Sequence, residues 1–460
     1  MKNLAVIVLA AGKGTRMKSA LPKVLHPVAG RPMLFYGLNV LKELKVKKTV
    51  VVIGHGAMSV KEAFPSEKAV FIEQKEQLGT GHAVACGLKA LRGFSGDVLI
   101  LSGDVPLITK DTLKALKQVK DRKRGAGLAL ITAILDDPSG YGRVIRDRDR
   151  KVVRIAEDKD AKTGERAIPE VNTGIYLFSS DFLFRNIRKI SSSNAQMEYY
   201  LPDLIEMASN AGQRVAALTH IEPEEVMGVN NRIELARASN IMRKRVLDSL
   251  MLQGVTIVAP ENTYIDWGVK IGADTAIHPS ATLSGNTKIG GNCVIEEGVK
   301  ITDSTIGRGT TVKSLSVIES CDVGSGVVIG PFARLRPGSV ISDNVRIGNF
   351  VEVKKSIIGK GTKANHLSYL GDAVIGKGVN IGAGTITCNY DGVKKYRTRI
   401  EDGAFIGSDT QLVAPVTVGK DAYVGSGTTV TSDVPPGSLM ITRAKERVIE
   451  GWVRKKGIKK

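Results

Sequence analysis

Short apolar runs punctuate the first half of the chain, at Leu4 to Leu9, Val50 to Ile53, Val70 to Ile72 and Val98 to Leu101. Runs of this length predict buried strands, and the stretch Gly81 to Leu91 predicts a helix between two of them. Strands alternating with helices imply an α/β fold, with helices packed on a mainly parallel sheet and ligands outside the carboxyl ends of its strands. Asn231 and Glu234 then predict a capping box for a long helix reaching about Leu252 and closing at Gly254. Beyond it the spacing changes. Aliphatics stand at every sixth position through Ile265, Ile271, Ile277, Leu283, Ile289, Ile295 and Ile301, return at Val323, Ile329, Leu335, Ile341, Ile347 and Val353, and return again from Ile400 to Val430. A helix repeats about every 3.6 residues and a strand about every 2. A period of six instead points to a solenoid with one short strand per hexad, each coil stacking its inward aliphatics on the next. The period slips between Ile358 and Ile375 and between Ile381 and Ile400. Register breaks in a solenoid predict loops, where function gathers.

Composition sharpens the division. Of 50 glycines, 20 lie in the first 253 residues and 30 in the last 207, which marks a domain boundary. With 460 residues, 42% apolar and 24% charged, the chain has the make-up of a multi-domain globular protein. The apolar run Leu4 to Ala11 is too short to span a membrane. Its cleavage as a secretory leader would remove the glycine-rich turn that follows, so no membrane insertion and a cytoplasmic location are expected. Cys86, Cys293, Cys321 and Cys388 are far apart and lack CxxC spacing, which argues against zinc and disulfides. The net charge of +20, with +6 in residues 443–460, invites a nucleic-acid reading. Aromatics are only 5% and do not interleave with basic stretches, so platforms for stacked bases are missing and no nucleic-acid partner is expected. Small anionic ligands would favour the same charge.

The turn after the first strand reads LAAGKGTRMKSALPK from Leu9 to Lys23. It is neither a dinucleotide fingerprint, because Met17 replaces the third glycine, nor a Walker loop. The physics is shared even so. Gly12 and Gly14 let backbone N–H groups approach phosphate oxygens, and Arg16 and Lys23 supply positive charge; an ordinary βα turn with surface basics is the plain alternative. The string LAAGxGTRM…PK resembles the signature of sugar-nucleotide pyrophosphorylases, which join a nucleoside triphosphate to a sugar 1-phosphate. The resemblance implies UTP contacts at Leu9, Ala10, Ala11, Gly12, Arg16 and Lys23, and uracil recognition by Gln74, Gly79 and Thr80 in EQLGTGHA. It implies sugar contacts at Gly142, Glu157 and Asn172, although these are equally readable as a turn, a solvated carboxylate and a strand-end cap. Asp104 follows a strand and is placed to hold Mg2+, with Asn230 as second ligand by resemblance. Asn230 has a rival reading as a helix cap.

The carboxyl-terminal repeats resemble the hexapeptide-repeat family, which implies a left-handed parallel β-helix with three hexads per coil and faces flat enough to trimerise. Only His278 and His366 follow residue 253, too few for a γ-type carbonic anhydrase zinc site. His278 sits in a clean hexad and reads as a turn residue, whereas His366 lies inside the first register break. The segments PFARLRPG, GNFVEVKKS, NHLSYLGD, NIGAGTITCNYDG and GSDTQLVAPVTVG closely resemble the bacterial bifunctional N-acetylglucosamine-1-phosphate uridylyltransferase/glucosamine-1-phosphate N-acetyltransferase family, and the likeness covers nearly the whole chain. It implies that Arg336, Lys354, Tyr369 and Asn380 bind glucosamine 1-phosphate. Ala383, Asn389, Tyr390, Ser408, Ser426 and Arg443 would line the acetyl-CoA site; Ser426 stands where the family often has Ala.

An amino sugar is largely protonated near neutral pH, and only its free amine attacks a thioester. An imidazole, ordinarily titrating near about 6.5, can take the proton, so His366 is expected to be the general base. Because acetyl-CoA arrives activated, no acyl-enzyme is required and Cys388 is left as a packing residue. Two rivals share the architecture: a regulatory scaffold such as the nucleotide-exchange subunits of translation initiation factors, and a pyrophosphorylase whose β-helix only oligomerises. A scaffold needs none of Arg16, Lys23, Asp104 and His366, and the second rival needs neither His366 nor Lys354. The expectation is therefore a homotrimeric enzyme with a Rossmann-like nucleotidyltransferase domain (1–229), a helical linker (230–253), a β-helix acetyltransferase domain (254–437) and a basic tail (438–460).

Overall fold

The computed structural model describes residues 3–122 and 126–457; the last three residues of the expected basic tail lie outside them. The chain divides into two compact units, 1–242 and 243–460, at a point inside the helix Arg232–Leu252. Among the described residues no helix is long and apolar enough to cross a membrane.

In the amino-terminal unit the strands run in the order Arg214–His220, Ala126–Ile134, Glu170–Ser179, Asp97–Ser102, Leu4–Ala10, Lys48–Ile53, Val70–Glu73. Leu4–Ala10 pairs in parallel with both Lys48–Ile53 and Asp97–Ser102. Glu170–Ser179 enters antiparallel between two neighbours, while the other four pairings along this order are parallel, as the sequence pattern implied. Val70–Glu73 is an edge strand, exposed or half-buried rather than buried as expected, but the other three apolar runs have a direct cause. Val6, Val8, Val51, Leu99 and Leu101 pack into one core, and Ile7, Val50, Val52, Val98 and Ile100 pack into a second core. A strand buried on both faces cannot alternate apolar with polar. The expected helix is Thr80–Leu88 continued by the short turn Lys89–Leu91. Gly87 lets it lie close to the sheet, since a Cβ there would come within 2.9 Å of Ile7 Cγ2.

The long helix starts where expected, with one change at its cap. Asn231 Oδ1 accepts from the N–H groups of Ile233 and Glu234, both at 2.9 Å. Glu234 reaches back to the N–H of Asn230 at 2.7 Å, one residue earlier than a capping box would have it. Asn231 is thus the cap, and the side chain of Asn230 is left for other work. Gly254 closes the helix at φ +90°.

The carboxyl-terminal unit is a left-handed parallel β-helix whose strands are two or three residues long except for two of nine. Most successive coils pair in parallel 17 or 18 residues apart, as in Lys270↔Lys288 and Lys288↔Thr305. One face stacks Ile271, Ile289, Ile306, Val323, Ile341, Ile358, Ile375, Ile400 and Val418 in a single column. The gap in the sixfold pattern after Ile301 is no gap in the fold. Ile306, Val312 and Ile318 are buried there, and two five-residue steps hide the period. The first register break is likewise not a loop. Ala364 and Leu370 point inward from a nine-residue strand, Lys363–Gly371, paired with the equally long Arg346–Lys354. Only the second break leaves the prism, in residues 389–397, where Tyr390 bridges Lys395. Small polar residues fill the corners, with Thr287 Oγ1 donating to Ser284 O at 2.6 Å and Ser304 Oγ to Thr302 O at 2.7 Å. Ile318 is fully buried in a short coil, so Ile318→Ala is expected to destabilise this unit by about 2–5 kcal/mol, read from the shift of its urea transition.

Candidate functional site

A cleft of about 530 Å³ opens at the carboxyl ends of the central strands. It is lined by eleven of the residues expected to meet the nucleotide and metal: Leu9, Ala10, Ala11, Gly12, Arg16, Lys23, Gln74, Gly79, Thr80, Asp104 and Asn230. At its centre Lys23 Nζ forms an ion pair with Asp104 Oδ2 and donates to Asn230 Oδ1 at 2.8 Å. Arg16 Nη2 donates to the same Asn230 oxygen at 3.0 Å. Asp104 Oδ1 is buried with no hydrogen-bond partner among the described residues. Gly228 keeps the space beside it, since a Cβ there would lie 3.1 Å from that oxygen. A hard divalent cation prefers such oxygen donors, commonly one or two from protein. An ammonium group already seated between Asp104 and Asn230 and an orphaned carboxylate oxygen make the pocket fit such an ion.

The two loop glycines differ. Gly14 holds φ +61° and a Cβ there would stand 2.6 Å from Lys23 Cβ, so this glycine shapes the protein itself. A Cβ on Gly12 would meet nothing within 4 Å, so its smallness serves the open cleft. Gly79, at φ +101°, turns the chain into the helix Thr80–Leu88, and Thr80 Oγ1 accepts from Leu201 N at 3.0 Å. Gln74, readable as a surface strand end, is instead 4% exposed.

Gly142, Glu157 and Asn172 do not line this cleft but contact one another, and Glu157 lines a second cavity of about 430 Å³ with Asp160, Tyr200 and Asp203. Asn172 N donates to Gly142 O at 2.8 Å, and a Cβ on Gly142 would approach Glu157 Oε1 at 3.3 Å. Asn172 is no strand-end cap. A register shift between Asn172 and Tyr176 re-aims it, and its Nδ2 donates to Tyr176 Oη at 2.6 Å. Burial, with Asp203 and Asp160 adding repulsion, pushes the Glu157 carboxyl up to about 7. Burial, with Glu206 next, pushes Asp203 up to about 6. Tyr141 was missed from sequence; burial above all raises its phenol, with the Glu234 carboxylate next.

On the prism, His366 pairs in register with Asn349, and its Nδ1 lies 3.2 Å from Asn349 Oδ1. An amide oxygen only accepts, so with that oxygen facing it Nδ1 donates, and in the neutral ring Nε2 then keeps its lone pair. Gly384 N donates to Leu367 O, Asp409 N to Ala383 O and Gly427 N to Ser408 O, so His366, Ala383, Ser408 and Ser426 occupy successive coils at one corner. Arg336 Nη1 is paired with Glu352 Oε1 at 2.8 Å, and Glu352 lies opposite Tyr369. Lys354 ends the same strand, its carbonyl accepting from Asp372 N. Asn380 lies on the neighbouring part of the sheet, between Lys363 and Phe405. Asn389 is buried and its Nδ2 donates to Asp372 Oδ2 at 2.5 Å, anchoring the loop on which Tyr390 is exposed. Arg443 is exposed. Asn349, Glu352 and Asp372 were missed, although each stands 17 residues before His366, Tyr369 and Asn389 respectively. That step is one coil.

Comparison with known proteins agrees with both halves. Residues 6–145 match the MobA-like NTP transferase domain, 261–341 the GMPPB C-terminal domain and 397–432 the bacterial transferase hexapeptide (six repeats). The chain is 52% identical over 457 residues to the bifunctional protein GlmU of Geotalea uraniireducens, covering 99% of this chain and 100% of that protein. It is 49% identical to the GlmU of Geobacter sulfurreducens, with 99% of each covered. To that of Shouchella clausii it is 47% identical, over 99% of this chain and all of the relative.

Two outcomes follow from this geometry. Gly14→Ala is expected to lower stability by about 1–3 kcal/mol, whereas Gly12→Ala changes it by less than about 0.5 kcal/mol yet weakens nucleoside triphosphate binding, as thermal melts and calorimetric titration would separately record. The second concerns pH. The folded state holds the Glu157 and Asp203 protons to higher pH than the unfolded chain does, so stability falls as pH rises from the ordinary carboxylate range to about 7. Glu157→Gln is expected to flatten that slope by on the order of 2 kcal/mol across the window, measured by urea midpoints.

Proposed function

The chain belongs to the GlmU family of bifunctional proteins, and from that premise we propose how its two constellations divide the synthesis of UDP-N-acetylglucosamine. Acetyl transfer from acetyl-CoA to glucosamine 1-phosphate comes first; uridylyl transfer from UTP to N-acetylglucosamine 1-phosphate, releasing pyrophosphate, comes second. The product is a precursor for bacterial cell-wall polymers. The observation that carries the reading is the Asn349–His366 pair, because a lone pair fixed at Nε2 on the prism surface is of use to acyl transfer and of none to a scaffold.

For acetyl transfer, Arg336 and Lys354 neutralise the sugar phosphate, while Tyr369 and Asn380 orient the sugar. His366 Nε2 takes a proton from the amine as its nitrogen bonds to the thioester carbon, and the CoA sulfur leaves with the electron pair. This proton transfer contributes typically ~10²- to 10⁴-fold. Ala383, Ser408 and Ser426 line the path of the thioester along their shared corner, with Asn389 and Tyr390 on the adjoining loop. Arg443 and the basic tail face the CoA phosphates. His366 is exposed on a single chain, which supports a homotrimer in which neighbouring copies cover it. An apolar ladder adds support: Leu315, Phe332, Phe350 and Leu367 are all about half exposed or more and succeed one another coil by coil up to His366, with the two phenyl rings stacked at 5.4 Å.

For uridylyl transfer, a sugar 1-phosphate oxygen attacks the α-phosphorus of UTP and pyrophosphate departs. No protein nucleophile is required. The loop from Leu9 to Gly12 offers backbone N–H groups, Arg16 and Lys23 hold the phosphates, and Gln74, Gly79 and Thr80 meet the base. Gly142, Glu157 and Asn172 hold the sugar. Asp104 and Asn230 would hold Mg2+, which when bound supplies charge neutralisation at the phosphates. Positioning and charge account for the catalysis. Four free cysteines accord with a cytoplasmic location.

Asp104→Ala is expected to lower pyrophosphate release at least ~10²-fold while sparing CoA release, and His366→Ala to do the reverse. Separate assays of pyrophosphate and of free thiol decide it; loss of both activities in either variant would contradict separate sites.

A further inference from the structure

The amide of Gln74 has a definite sense. Its nitrogen donates one hydrogen to Gly79 O at 3.2 Å, an atom that can only accept, and approaches His82 Nδ1 at 3.1 Å with the other. Both N–H bonds are thereby committed to the protein. His82 Nδ1 must then be the accepting nitrogen, which leaves the ring proton on Nε2. That nitrogen lies 3.7 Å from Cys86 Sγ, one helical turn further along Thr80–Leu88, where the sulfur serves as a weak acceptor. The chain of contacts is consistent from end to end. Its outcome is that Gln74, 4% exposed yet lining the cleft, has its carbonyl oxygen as the group available to a base.

We propose that His82, seated on Cys86, is the positioning residue that sets base specificity, by holding the Gln74 amide with its oxygen toward the nucleotide. This rests on the reading that Gln74 meets the base. An acceptor at that point matches a pyrimidine with a hydrogen on N3, as uracil has. Cytosine presents a lone pair at N3 instead, and two acceptors face to face leave both unpaired in a dry site. If the amide turned over, its N–H would face the base and the preference would invert. Thymine shares the N3 hydrogen of uracil, so this device does not separate UTP from dTTP.

The test compares kcat/KM for UTP, CTP and dTTP in pyrophosphate release. In His82→Leu, which offers Gln74 no acceptor, the UTP to CTP ratio is expected to fall about tenfold or more, with the UTP to dTTP ratio and the KM for the sugar phosphate unchanged. His82→Asn can place a carbonyl oxygen near the former Nδ1 and is expected to restore the ratio to within about threefold of the parent. Cys86→Ala is expected to lower it by about two- to threefold. An unchanged UTP to CTP ratio in His82→Leu, or an Asn variant no better than Leu, would overturn the proposal. Gln74→Leu separates the two levels: if it too leaves the ratio unchanged, the base-site reading itself falls, whereas a collapsed ratio there with none in His82→Leu removes only the role of His82. Nitrogen-resolved NMR of the unaltered protein needs no variant to fold. A neutral His82 protonated on Nε2 supports the proposal, and one protonated on Nδ1 refutes it.

Discussion

The contact on which the nucleotide cleft depends is the Lys23 ammonium held between the Asp104 carboxylate and the Asn230 amide oxygen. Those three residues come from three places: the turn after the first strand, the end of the strand Asp97–Ser102 and the segment before the long helix. Without a shared cation the carboxylate would be partly desolvated next to a second oxygen, a costly arrangement. With it, the phosphate loop, the candidate metal ligands and the helix start are drawn to one point. The group that joins them carries the same sign as the charge needed when phosphates arrive.

In the carboxyl-terminal unit the corresponding constraint is the closure of each coil. Inward aliphatics can stack only if every turn returns to the same face, after 17 or 18 residues in most coils and after 25 where the loop at 389–397 is let out. A coil is therefore free to shed a residue at a corner, as happens before Ile306 and again between Leu370 and Ile375, but not to lose its inward side chain. The nine-residue strands Arg346–Lys354 and Lys363–Gly371 take a corner without a break in pairing, and so deliver His366 and Tyr369 on rigid backbone. Gly348 makes the close pairing possible, since any Cβ there would collide with Asn365 O.

Legibility followed burial. Three strands covered on both faces announced themselves as unbroken apolar runs, although Ala126–Ile134, equally covered, was passed over, and the hexads stood out because one residue in six has no choice. Glu170–Ser179 stayed hidden because its bulge puts Asn172, Thr173 and Gly174 in mid-strand, and that bulge is also what aims Asn172 at Tyr176. The motif around His366 was readable, but the expected loop was a strand, since a five-residue step mimics an interruption when only every sixth position is counted. Asn349 and Glu352 escaped notice for a related reason: their partners are one coil away, a distance that no local window of sequence spans. Asn230 could not be separated from a helix cap until Asn231 was seen to fill that position.

A common device links these cases. Gly228 O takes the Asn230 amide nitrogen so that its oxygen faces Lys23; Asn349 takes one nitrogen of His366 so that the other is a base; Gly79 and His82 take the Gln74 nitrogen so that its oxygen faces out. In each, a neutral group commits one end of an ambidentate side chain to the scaffold. One net hydrogen bond is worth about 1 kcal/mol, which biases two orientations roughly fivefold. Two bonds on the same end, as Gln74 has, multiply to roughly thirtyfold, enough to make one sense dominant before any ligand binds. Side chains with two chemically different ends thus act as single-valued groups here, and the partners that make them so are drawn from positions that carry no reactive chemistry of their own.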